Sequence, residues 1–223
     1  MTSGVHRPPP ETLPDTLAVF PLSGAFLLPR VRLPLNIFEP RYLNLTEDAL
    51  ASDCMMGMVQ PRETGAETFG NTAPIYDVGC AARITSFSKT DDGRYLIELT
   101  GLCRFRVRGE LEMVDGYRRV EPDFKPYLGD LADDDGETAD RDRLLAEVQP
   151  FLESRGMAAD WSALAQLPDD ALVTALAMVA PFGTPEKQAL LECGGLAERC
   201  RLLVSLIEIA AHELEAGTAP SCH

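Results

Sequence analysis

Ser86 and Ser88 stand beside Lys89 in the run ITSFSK, and a hydroxyl next to an amine is the pairing that a serine-lysine hydrolase requires. The lysine can act as a base only if an apolar pocket strips its proton near neutral pH. Asp91 and Asp92 follow at once in a hairpin read as exposed, so nothing there would desolvate it. Cysteines at 54, 80, 103, 193, 200 and 222 with His212 offer a thiol-imidazole alternative, but no local context supports a nucleophilic elbow. The histidines, His6, His212 and His223, and the cysteines show neither a CxxC pair nor metal-ligand spacing. DLADDDGETAD sets acids at alternate positions before a glycine, as a calcium loop does, yet it lacks the bidentate glutamate at the twelfth position. No G-x-x-x-x-G-K-[ST] run occurs to cradle a nucleotide phosphate. The expectation is a chain without enzymatic activity, metal or cofactor.

The remaining charged candidates are Glu39, Arg41 and Arg104. A carboxylate and guanidinium this close to an apolar corner lock backbone geometry through charge-assisted hydrogen bonds. Arg41 or Arg104 gripping a peptide carboxylate is the functional alternative. Arg104, Arg106 and Arg108 alternate and would share a strand face, with Arg118 and Arg119 close behind, and Glu110, Glu112 and Asp115 offset them. The formal net charge of -15 repels phosphate backbones and anionic lipid, so nucleic acid and membrane are poor partners.

These residues hang on a corner at LPLNIFEPRY. Leu33, Leu35, Ile37 and Phe38 read as an edge strand interrupted by Pro34. Glu39 must be extended before Pro40, and Pro40 suits the first helical position. Tyr42, Leu45, Ala49 and Leu50 then share one helical face. Before the corner, TLAVFPL reads as a first strand, with Ala25 to Leu28 continuing it after a Ser23-Gly24 turn. After it, Met55 to Gln60 is a strand whose Met55, Met56 and Met58 either fill a core or line an adaptable peptide surface. Arg62 to Pro74 is a polar loop with Phe69 as its apolar anchor. Val78, Cys80, Ala82 and Ile84 alternate, Asp92-Gly93 turns the chain, and Tyr95, Ile97 and Leu99 alternate back. Leu102 to Val107 and Tyr117 to Val120 add two more strands.

The expected architecture is α+β. Residues 1–15 form a proline-held lead-in and 16–122 a bent, all-antiparallel β unit or half-open barrel with one inserted helix. Residues 123–139 form an acidic solvated linker, 140–215 a helical bundle and 216–223 a tail. Thr184-Pro185-Glu186 opens one bundle helix, with Thr184 as cap, and Leu196, Cys200, Leu203, Ile207, Ala211 and Leu214 line the last. At 223 residues the chain can bury a core of its own without staples. Its start has no secretory signal and no stretch suits a membrane span, so a cytoplasmic protein with buried free thiols is expected.

AVFPLSGAFLLP, the FEPRY corner and GCAARITSFSKTDDGRYLIELTGLCRFRV occur in this order. Together they resemble the N-terminal substrate-binding domain of the Lon ATP-dependent proteases, and free-standing bacterial proteins made of that domain alone. The likeness runs from Leu17 to Leu214. Lon proteases cut peptides with a Ser-Lys dyad far downstream of the matched region. The resemblance therefore implies a non-catalytic module with a PUA-like β half, one that recognises unfolded or exposed peptide segments and serves as an adaptor for an ATP-dependent protease. Phe38, Tyr42, Met55, Met56, Met58 and Phe69 are the candidates for its apolar surface. RNA binding, by analogy with PUA-like barrels, and a homo-oligomeric scaffold are the alternatives.

Overall fold

Period-two apolar runs build the first half of the chain. The computed structural model describes residues 12–62, 73–132, 138–157 and 159–218, with side chains as far as 212. Its strands are β1 (Leu17–Pro21), β2 (Arg32–Ile37), β3 (Met55–Val59), β4 (Val78–Lys89), β5 (Tyr95–Val114) and β6 (Tyr117–Asp123), with helix α1 (Pro40–Ala51) between β2 and β3. The chain divides into two compact units, Met1–Asp133 and Asp134–His223.

The strands of the first unit lie in the order β2-β5-β4-β3-β1-β6, and β6 also pairs with β5. That last pairing closes β1, β3, β4, β5 and β6 on themselves, because β6 bonds to β1 on one side and to the far half of β5 on the other. β2 lies outside this closure, along Tyr95 to Thr100 of β5. β1 and β3 run parallel, which corrects the expectation of an all-antiparallel unit. The intervening β2 and α1 provide the crossover connection that parallel neighbours need and a hairpin cannot supply.

Leu17, Val19, Met55, Val59, Ala81, Leu102, Cys103, Phe105 and Val120 fill the barrel core, with Phe124 at its edge. Leu102 to Val107 is not the separate strand expected, since β5 runs unbroken from Tyr95 through Gly101 for 20 residues. Gly101 is there for close approach: a Cβ would lie 2.1 Å from the Leu28 carbonyl oxygen. Its N–H donates to Val31 O and its carbonyl accepts from Arg30 N, both at 2.9 Å. Ala25 to Leu28 is accordingly not a strand. Phe26, Leu27 and Leu28 are buried in an irregular segment laid against β5.

The stretch read as linker is corrected in its first half. Asp123 ends β6, Phe124 is buried, and Lys125–Leu131 is a 3-10 helix whose Tyr127 and Leu131 pack on the barrel core. Residues 133–137 lie outside the described residues, as do most of the lead-in and tail.

The second unit contains α2 (Arg141–Ser154), α3 (Trp161–Leu164), α4 (Asp169–Val179), α5 (Thr184–Glu192) and α6 (Leu196–Thr218). Asp140 and Asp160 cap α2 and α3 through their carboxylates. Arg141 donates to the carbonyls of Leu164, Ala165 and Leu167 and to Asp169, so one guanidinium satisfies the orphan acceptors after α3 and ties them to the start of α4. Leu144, Val148, Leu172, Leu176, Leu190 and Leu203 are fully buried. At α5 the cap is Gly183, and Thr184 is the first helical residue, one position from the expected start.

Candidate peptide-binding surface

The FEPRY corner turns β2 into α1 as the prolines dictate. Glu39 is extended, with ψ of 134°, and Pro40 opens the helix. Arg41 Nη2 donates to Glu39 Oε2 at 2.7 Å, while its guanidinium lies 4.7 Å from the centre of the Tyr42 ring. Tyr42 in turn meets Phe20 edge-on at 4.2 Å. Burial pushes the Tyr42 hydroxyl up in pKa, although the neighbouring Arg41 opposes it. This packed cluster leaves Phe38 outside, 61% exposed.

Arg104 is not part of it. Its guanidinium donates to Asp130 from Nε and Nη2 at 2.9 and 2.7 Å, and lies over the Tyr127 ring. Arg108 pairs with Asp123 and Glu121, Arg118 with Glu110, and Arg119 bonds to the Glu112 carbonyl. The arginine strip seen in the sequence is thus largely engaged by acids and carbonyls of the same unit.

Tyr42, Met55, Met56 and Met58 are each at most 5% exposed. This corrects their place on a binding surface, since they cannot touch a client in this state. The methionines lie in β3 between β1 and β4, where both faces are covered. Phe69 lies outside the described residues.

Several exposed apolar groups escaped the sequence reading, among them Leu111, Met113 and Leu128 of the first unit and, closest to the corner, Phe87 and Leu96. Phe87 is 57% exposed and Leu96 47%. A register shift between Ile84 and Ser86 breaks the β4 alternation and sets Phe87 opposite Ile97. Leu96 pairs with Asn36 on one side and Ser88 on the other, on the face opposite Ile97. A signal was present: Leu96 is an apolar residue at an outward position between Tyr95 and Ile97. Phe87 and Leu96 belong to the end of the β4-β5 hairpin, beside β2, and Phe38 to the corner that follows β2.

The hydrolase candidates are disposed otherwise than catalysis needs. Lys89 Nζ donates to Glu47 Oε1 at 2.9 Å, and Tyr95 donates to the same oxygen at 3.0 Å. The hydrogen bond to Glu47 first, and then one to the Tyr95 hydroxyl, raise the Lys89 pKa, whereas a general base needs it lowered. Burial raises the Cys80 thiol and pushes Cys103 up to about 12, so both are protonated and unreactive. Among the described residues no cluster of His, Cys, Asp or Glu could hold a metal ion. No helix among them is long and apolar enough to cross a membrane.

The model of the ATP-dependent protease La (LON) substrate-binding domain matches residues 16–208. A Lon protease 2 of Thermus thermophilus is 28% identical over 204 residues, covering 88% of this chain and 24% of that protein. A Lon protease 2 of Sorangium cellulosum is 30% identical over 110 residues, covering 48% of this chain and 13% of its own. The chain thus spans about a quarter or less of the curated relatives it matches. Among solved structures, a Lon N-terminal domain protein from Xanthomonas campestris superposes with a TM-score of 0.60 at 21% identity, covering 85% of this chain and 97% of that one. The N-terminal domain of a Mycobacterium avium complex Lon protease gives 0.56 at 18%, covering 86% and 98%. Both share the fold.

Proposed function

The chain belongs to the ATP-dependent protease La (LON) substrate-binding domain family, and from that premise we propose that it is a non-catalytic module that holds unfolded or exposed apolar protein segments and passes them to an ATP-dependent protease. The observation that carries this reading is that Phe38, Phe87 and Leu96 are left in solvent around β2 and the end of the β4-β5 hairpin, Phe87 on one face of the sheet and Leu96 on the other, while Leu111, Met113 and Leu128 are exposed elsewhere in the same unit. The described cysteines are free, in keeping with work in the reducing cytoplasm.

RNA binding is the weaker reading, because Arg104, Arg108 and Arg118 are paired with acids and the net charge is -15, although Arg106 stands exposed. The test is fluorescence anisotropy with a labelled, permanently unfolded casein-like protein at two ionic strengths. Salt-tolerant binding that weakens in Phe38→Ser and Phe87→Ser supports the reading. No binding, or binding only to RNA and only at low salt, overturns it.

A further inference from the structure

We propose that the open edge of β2 takes up the client as an added β-strand, a reading that rests on the client-binding function above. Gly101 N–H donates to the Val31 carbonyl, so the backbone of Val31 faces β5. Strand periodicity then turns the backbone groups of Leu33, Leu35 and Ile37 toward β5 and those of Arg32, Pro34 and Asn36 away from it. Pro34 fits this phase, because a residue without an N–H cannot serve a position that the ladder needs. Among the described residues β2 pairs with β5 alone. Its outer side therefore presents the N–H groups of Arg32 and Asn36 and the carbonyls of Arg32, Pro34 and Asn36.

The side chains define the occupant. Leu33 and Leu35 are half-buried, and Leu35, Ile97 and Phe87 stand in one cross-strand row. A strand added beside β2 would set every second side chain against Leu33 and Leu35. Its intervening side chains would lie beside Arg32, Pro34 and Asn36, which are exposed. The partner is thus an extended polypeptide with apolar residues at alternate positions and polar ones between. The net charge of -15 disfavours strongly acidic chains.

A second copy is the wrong occupant. In the antiparallel register that sets Arg32 of one β2 edge opposite Asn36 of another, Pro34 meets Pro34, with two carbonyls facing each other and no N–H between them, and a two-residue slip sets Pro34 against Asn36 and forfeits a donor in both pairs. A client without proline at that position loses only one donor. Pro34 thereby guards the edge against self-pairing while leaving it open to other chains.

The probe is a short fluorescein-labelled peptide alternating valine with threonine and lysine, read by anisotropy. Asn36→Pro, which removes the other central outward donor, is expected to weaken binding by about 2- to 10-fold, one net hydrogen bond. Pro34→Val, which restores a donor, is expected to tighten binding by a similar factor and to add concentration-dependent self-association in sedimentation. The same peptide with alternate amides N-methylated should fail to bind, and hydrogen exchange at the Asn36 amide should slow when the unmodified peptide is added. The Pro34→Val arm keeps the test decisive if Asn36→Pro does not fold. If both variants and the methylated peptide bind like their parents, the edge is not the site, even where Phe38→Ser still weakens capture of an unfolded protein. If the unaltered chain binds neither the peptide nor the unfolded protein, this inference falls together with the reading it rests on.

Discussion

Arg104 and Asp130 form a two-pronged ion pair, Nε and Nη2 donating to opposite carboxylate oxygens, with the Arg104 backbone N–H donating to Oδ2 as well. The side chains are only 6% and 10% exposed. This pair fastens the 3-10 helix Lys125–Leu131 to the middle of β5 and makes that helix a wall of the barrel.

Removing one partner leaves a buried charge without its counterion. Asp130→Ala should destabilise the first unit by about 3–5 kcal/mol, seen as a lower urea midpoint. Arg104→Met with Asp130→Leu should recover most of that loss. A double variant as unstable as the single one would show that hydrogen bonding to the pair, not charge burial, dominates.

Met56 is fully buried, so Met56→Ala should cost about 2–5 kcal/mol in unfolding free energy. In folded protein, binding of an unfolded client should be unchanged. The opposite pattern, with stability kept and binding lost, would return the methionines to the surface.

Gly101→Ala would drive a methyl into the Leu28 carbonyl, 2.1 Å from the ideal Cβ position. Backbone must move to admit it, at a cost of about 1–3 kcal/mol or more. Thermal unfolding checks this, and Gly109→Ala, where nothing lies within 4 Å, is the control.

Cys103 and Tyr117 both have folded-state pKa values of about 12. Burial is the main cause in each, and Tyr117 also donates to Asp48 at 2.7 Å. Above the ordinary ranges near 9 and 10 the unfolded chain releases these protons and the folded chain holds them. Stability should therefore be full below about pH 9 and fall as pH rises toward 12, by at most about 1.4 kcal/mol per pH unit for each group. Urea midpoints between pH 8 and about 10.5 read the slope, and Tyr117→Phe should flatten it above pH 10. Alkylation at pH 8 should leave Cys80 and Cys103 unlabelled until denaturant is added.

Local chemistry was legible in the chain itself. Pro40 could only start a helix, Asp92-Gly93 could only turn a hairpin, and the alternation from Val78 to Leu99 could only be strands, because φ/ψ limits and apolar periodicity act within a few residues. The motifs also determined the family and the absence of a nucleotide loop. Which groups meet was decided by tertiary structure. Arg104 took Asp130, 26 residues away, in place of the nearby-looking Glu39 corner, and the acidic stretch became part of a wall because a buried guanidinium needed a carboxylate. The methionines went inside when β1 closed over β3 in parallel, and a register shift at Thr85 turned Phe87 onto the Ile97 face, the row shared with Leu35. Burial and strand register are properties of pairs of distant segments, and composition or spacing within one segment does not contain them.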